Sequence, residues 1–201
     1  MMQGQKPKVE QKEALYSTVL IRSNGSGHEL LAFTQSIGAP MNGSGDEHLV
    51  STIADTNMRC ANMLCGANEM TVRAIRFSIP RTVEPRFLHS LPCRRLAPYA
   101  VQQSDIEQIL NRGVLTYHVG GDTPRLRCRL VDGVPKSTVA DAAFVGELLV
   151  PDPEQWTIRG GIEKFWVELS WPDKPPVFGP LCALEPGCAR ASIPITIYLV
   201  P

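Results

Sequence analysis

The chain has 201 residues, enough for one large domain or two small ones built on a real hydrophobic core. Twenty Lys+Arg against 20 Asp+Glu leave no formal net charge, which argues against a dedicated nucleic-acid binder but not against local basic patches. Sixteen Gly and 17 Pro favour many turns and few long helices, and no apolar run approaches the roughly 18–20 residues of a membrane span.

Residues 1–14 are polar, with Lys6, Lys8 and Lys12 among Gln and Glu, and read as an arm preceding a single domain over residues 15–201. The start MMQGQKPKVEQKEALYS lacks the apolar core of a signal peptide, which argues against export. Tyr16–Ile21 reads as a strand, closed by the turn Asn24-Gly25-Ser26-Gly27. The same tetrapeptide returns at Asn42-Gly43-Ser44-Gly45, and both copies read as turns rather than glycosylation sites. Between them His28–Ile37 reads as a strand with Leu31, Phe33 and Ile37 on one face.

His48–Ile53 precedes a polar knot, Asp55-Thr56-Asn57, whose side chains suit bonding to nearby backbone amides and so bracing a loop. Met70–Pro80 follows as a single strand with Ile75, Phe77 and Ile79 on its core face. Residues 81–102 hold three prolines, Pro85, Pro92 and Pro98, and predict a long irregular excursion.

One helix is expected, at Asp105–Arg112, with Ser104 as N-cap, Glu107 completing a capping box and Gly113 ending it. Val114–Val119 and Arg125–Val131 then flank Gly120–Pro124 as a hairpin. On its second strand Arg125, Arg127 and Arg129 line one face, opposite Leu126, Cys128 and Leu130. Such a row could grip phosphate or carboxylate, but the neutral net charge favours the more ordinary role of a solvated or intersubunit face. Ala142–Val150 fits strand or helix. Phe165–Trp171 and Ser192–Val200 alternate strictly, and Pro194 suggests that the latter begins near a sheet edge. A second Pro-rich excursion spans 172–191.

Six cysteines (Cys60, Cys65, Cys93, Cys128, Cys182, Cys188) include no Cys-x-x-Cys, so a zinc ribbon fails on spacing. Free thiols are expected, with Cys182 and Cys188 able to bridge only in an oxidising exterior. The four histidines form no His-x-His pair, and no nucleophile elbow, P-loop or dinucleotide fingerprint occurs. No catalytic residue, metal site or cofactor is therefore assigned. Eight to ten strands, one short helix in a connecting loop and no βαβ alternation predict an all-β antiparallel sandwich, best matched by a single jelly roll.

The segment Thr52, Asp55, Thr56, Asn57 and Met58, followed by a Val-x-x-Ile-x-Phe strand (Val72, Ile75, Phe77), resembles small structural proteins of tailless icosahedral phages. Val167-Glu168-Leu169 and Ile195–Leu199 are similar in the same way. The resemblance implies a major or minor capsid protein without catalytic residues, made in the host cytoplasm and residing in the virion. It would assemble as a homo-oligomer with other capsid proteins. Its N-terminal arm would touch genome or internal membrane, and no small-molecule substrate is implied. The alternative is a carbohydrate- or ligand-binding adhesin module with Trp156, Trp166 and Trp171 as sugar platforms.

Overall fold

The structure is a computed structural model that describes residues 14–22, 29–33, 53–56, 69–84, 98–121, 123–136, 142–151, 156–159, 165–178 and 192–201. Strict two-residue alternation builds its longest strands. In Ser192–Val200 (β14), Ile193, Ile195, Ile197 and Leu199 are fully buried, and in Ala74–Pro80 (β5), Ile75, Phe77 and Ile79 are as well. Facing side chains on these strands come from Leu15–Arg22 (β1), whose whole length pairs antiparallel with β14, Leu15 opposite Leu199 and Ile21 opposite Ile193.

Fourteen strands are described. Besides β1, β5 and β14 they are Glu29–Ala32 (β2), Ile53–Thr56 (β3), Glu69–Thr71 (β4), Thr82–Val83 (β6), Tyr99–Ala100 (β7), Val114–Val119 (β8), Pro124–Arg129 (β9), Val134–Lys136 (β10), Ala143–Leu149 (β11), Thr157–Arg159 (β12) and Phe165–Ser170 (β13). A six-stranded sheet runs β10-β11-β5-β14-β1-β3, and a four-stranded sheet runs β2-β13-β8-β9. Two short ladders, β12-β4 and β6-β7, complete the set, and every pairing is antiparallel. One apolar cluster runs through both large sheets, joining Ile197 and Phe77 to Tyr117, Val167 and Leu169. The molecule is an all-β antiparallel sandwich.

Helix α1 spans Gln103–Arg112 and lays Ile106, Ile109 and Leu110 onto this core. It starts two residues before the expected Asp105. Gln102, not Ser104, is the N-cap, and Asp105, not Glu107, closes the box by accepting the Gln102 N–H at 3.1 Å. The physical reason is a second donor: the Tyr99 hydroxyl gives its hydrogen to the same carboxylate oxygen at 2.8 Å, drawing Asp105 inward. At the other end Gly113 is required by contact rather than conformation. A Cβ there would strike the Ile109 carbonyl and Leu130.

Two strands depart from expectation because the alternation changes phase. Met70 and Val72 point inward on even numbers, Ile75 and Phe77 on odd ones. A continuous strand cannot bury both sets, so Met70–Pro80 divides at Val72-Arg73, with β4 joining β12 and β5 joining β14 and β11. In β2, Leu30 and Ala32 are the inward residues instead of Leu31. Phe33 turns inward beside Ala32 by adopting φ 64, a conformation that ends the strand. Its N–H lies 3.4 Å from the buried Ser17 Oγ, joining the two sheets.

Asp55 and Thr56 lie in β3, at the edge of the six-stranded sheet, rather than in a loop: Thr56 is opposite Ser17 and Asp55 opposite Thr18, with a bulge before Ile53. The β-branched Ile53 and Thr56 favour that extended state. Asn57, Cys182, Cys188 and the 1–13 arm with Lys6, Lys8 and Lys12 lie outside the described residues. Pro194 is not at an edge, because β14 is central, but the β14–β5 ladder ends at the Thr196–Ser78 pair, so the missing N–H of Pro194 falls beyond the paired stretch on that side. Ala143–Leu149 is a strand, and the 81–102 excursion is zipped at its base by β6 and β7.

Candidate interaction faces

A sandwich uses one face of each sheet for its core and leaves the other for contacts. On the four-stranded sheet the register sorts the outward side chains into cross-strand rows. Leu31, Glu168, Thr116 and Arg127 form one row, while Ser170, Val114 and Arg129 form the next. The third row is Trp166 on β13 and His118 on β8, with Pro124 opposite on β9. A bulge between Tyr117 and His118 inserts Arg125 beside Pro124.

The expected arginine row is therefore real: Arg125, Arg127 and Arg129 are all exposed along the outermost strand of this sheet. Leu126 and Cys128 turn the other way and pack against the core. Leu130 is buried as expected but begins a single 3-10 turn, Leu130–Asp132, rather than continuing the strand. Arg129 is held at its base, where its N–H reaches Asp132 Oδ2 at 3.3 Å and its Nη2 reaches the Asn111 carbonyl at 3.4 Å. Burial pushes the Cys128 thiol up to about 11, with nearby Asp132 adding to the shift.

Beside the arginines lies an aromatic pair that sequence reading did not connect. The His118 and Trp166 rings stack with centroids 4.4 Å apart and planes 7° from parallel. His118 Nε2 lies 3.8 Å from Glu168 Oε2. Only the strand register brings these residues together, since 48 positions separate the two rings in the chain. Of the three tryptophans weighed as sugar platforms, Trp156 and Trp171 are core residues at 4% and 2% exposure. Trp156 stacks on Tyr117, and the Trp171 indole donates to the Ile109 carbonyl at 3.3 Å. Trp166 alone of the three is partly open to solvent.

The outer face of the six-stranded sheet carries a different arrangement. Glu147 sits between two cations on neighbouring strands. Arg76 Nε and Nη2 donate to its Oε2 at 3.1 and 2.8 Å, and Lys136 Nζ lies 3.0 Å from Oε1. Hydrogen bonds from Arg76 first, then Lys136, hold the Glu147 carboxyl below the usual glutamate range. Flanking this network on the same face are Leu149 at 70% exposure and Val134 at 54%. Further along, Thr18 and Thr196 hydroxyls meet at 2.8 Å, and the Tyr16 and Tyr198 rings lie 6.0 Å apart.

The strand edges are poor templates for pairing. β10 presents Pro135 and Lys136, β9 begins at Pro124, β3 is bulged, and β2 stops at Phe33. Among the described residues, no group of three or more His, Cys, Asp or Glu is placed to hold a metal ion, and no helix is long and apolar enough to cross a membrane. No family model, curated protein or solved structure matches the chain.

Proposed function

We propose that the protein is a structural subunit of a virion shell, a capsid-type jelly roll that associates with copies of itself. The observation that carries this reading is the strand order. Taking β1, β2, β5, β8, β9, β11, β13 and β14 as the first to eighth principal strands, one sheet runs first-eighth-third-sixth and the other second-seventh-fourth-fifth. This interleaving matches two nested Greek keys, the winding of a jelly roll, an architecture used by viral capsid and lectin domains. A fold does not choose between such roles. The likeness of the Thr52–Met58 and Val72–Phe77 segments to phage structural proteins favours the first.

The surfaces agree with assembly through faces rather than edges. All four outer strands of the two large sheets are short, bulged or protected by Pro or charge. Leu149 and Val134 instead offer apolar area beside the Glu147 ion network on an outer sheet face. Native mass spectrometry of the purified protein tests the reading: a large symmetric oligomer is expected, and a monomer persisting at high concentration would remove it. The adhesin reading keeps one observation, the partly open Trp166, and glycan-array binding abolished by Trp166→Ala would favour it instead.

A further inference from the structure

We propose that the outer face of the four-stranded sheet binds single-stranded nucleic acid, with β9 tracking phosphates and Trp166 stacking a base. The inference stands on this face alone and does not depend on shell assembly. Neutral overall charge conceals a local asymmetry: β9 carries three exposed arginines, and Glu168 is the one carboxylate among the described outward side chains on the rows that face them. Glu168 stands two strands away, next to His118, so it leaves the β9 margin cationic.

Spacing supports an extended polyanion. Arg127 and Arg129 are two residues apart on one strand, roughly 6.8 Å, comparable to the separation of successive phosphates in a stretched single strand. The bulge places Arg125 alongside the same track and brings it level with the His118–Trp166 stack. Guanidinium groups suit phosphate through paired donors. From β9 to β13 is two interstrand steps, roughly 10 Å, and His118, only 7% exposed, stands between them against the β8-side face of Trp166. A strand whose phosphates lie along β9 therefore meets Trp166 with a base that reaches over His118 to the remaining face of the indole. His118 supports the indole from one side in near-parallel contact, which fixes the ring without help from the ligand. A cationic track beside a fixed aromatic ring is the combination that binds single strands with little sequence preference. An acidic protein surface or an anionic membrane would use the arginines but leave the tryptophan idle.

Fluorescence anisotropy with a labelled oligothymidylate of about 16 nucleotides, alongside a duplex of equal length, tests the proposal. The wild-type protein should bind the single strand more tightly than the duplex at about 50 mM salt. Replacing Arg125, Arg127 and Arg129 together with Ala should lower affinity at least about 10-fold and flatten the log–log salt dependence by about 2, near 0.7 per lost phosphate contact. Trp166→Ala should weaken single-strand binding by about 5- to 100-fold while leaving the salt slope unchanged, and Trp166→Phe should restore most of it. Thermal midpoints near wild type for the triple Ala variant and for Trp166→Ala show that the readouts report binding rather than unfolding. Absence of oligonucleotide binding, indifference to Trp166, or displacement of the oligonucleotide by phosphatidylserine vesicles that bind more tightly would each overturn it.

Discussion

Gly146 shows how much can rest on a missing side chain. It lies directly opposite Phe77 on the neighbouring strand, and a Cβ at this position would fall inside the Phe77 ring. The aromatic ring therefore covers the glycine and recovers the packing it lacks. Gly146→Ala should cost about 1–3 kcal/mol, read as a lower urea midpoint with an unchanged m-value. Glu147, the next residue, gives a pH signature. Its carboxyl is held below the ordinary value, so its contribution is complete above the unfolded titration near pH 4.3 and is lost as pH falls through the lower folded value. Thermal melts of wild type and Glu147→Gln should differ by about 1 kcal/mol or less at neutral pH, because Arg76 and Lys136 are partly exposed. The gap should close in acid. Cys128 predicts chemical inertness: with its thiol pushed up to about 11, peptide mapping after alkylation at pH 8 should find it labelled far more slowly than an ordinary thiol of pKa about 8.5.

At the scale of elements, helix α1 is a hub rather than an ornament. Its Asp105 receives both the Gln102 N–H and the Tyr99 hydroxyl. Gln108 clamps Val177 with two hydrogen bonds, 3.2 and 3.1 Å, fixing the extended stretch after β13. Asp105→Ala should cost about 1–2 kcal/mol by breaking the capping box and removing the shared acceptor of two part-buried hydrogen bonds. Tyr99→Phe should cost less, and a double-mutant cycle should show the pair to be coupled. Periodicity made the strands legible where one phase persisted, as in β13 and β14. It failed at Val72-Arg73 and at Phe33, where a one-residue phase change was hidden inside a continuous apolar run. The helix start was misread because Ser104 has the stronger intrinsic capping preference. The deciding partner, the Tyr99 hydroxyl, belongs to tertiary structure.

For the whole molecule, the arginine row was readable from β9 alone, whereas the His118–Trp166 stack required knowing which strands are neighbours. Assembly belongs at this scale too. If Leu149 and Val134 meet a second copy, Leu149→Asp should reduce oligomer mass in native spectra with a thermal midpoint near that of wild type, since the side chain is already 70% exposed.

The pairing of β1 with β14 has a kinetic side. The Thr18–Thr196 hydrogen bond joins residues 178 positions apart, and β14 lies between β1 and β5 in the middle of its sheet. Until β14 docks, β1-β3 and β10-β11-β5 are separate fragments with raw edges, and the apolar side of β1 has no neighbour across the ladder. Closing so long a loop costs chain entropy before any contact repays it, which places folding on the slow side, from milliseconds to seconds. The blunted outer edges of the finished sandwich offer no protection during that interval. An unfinished chain exposes its central strands instead, so conditions that prolong the search should favour aggregation over refolding.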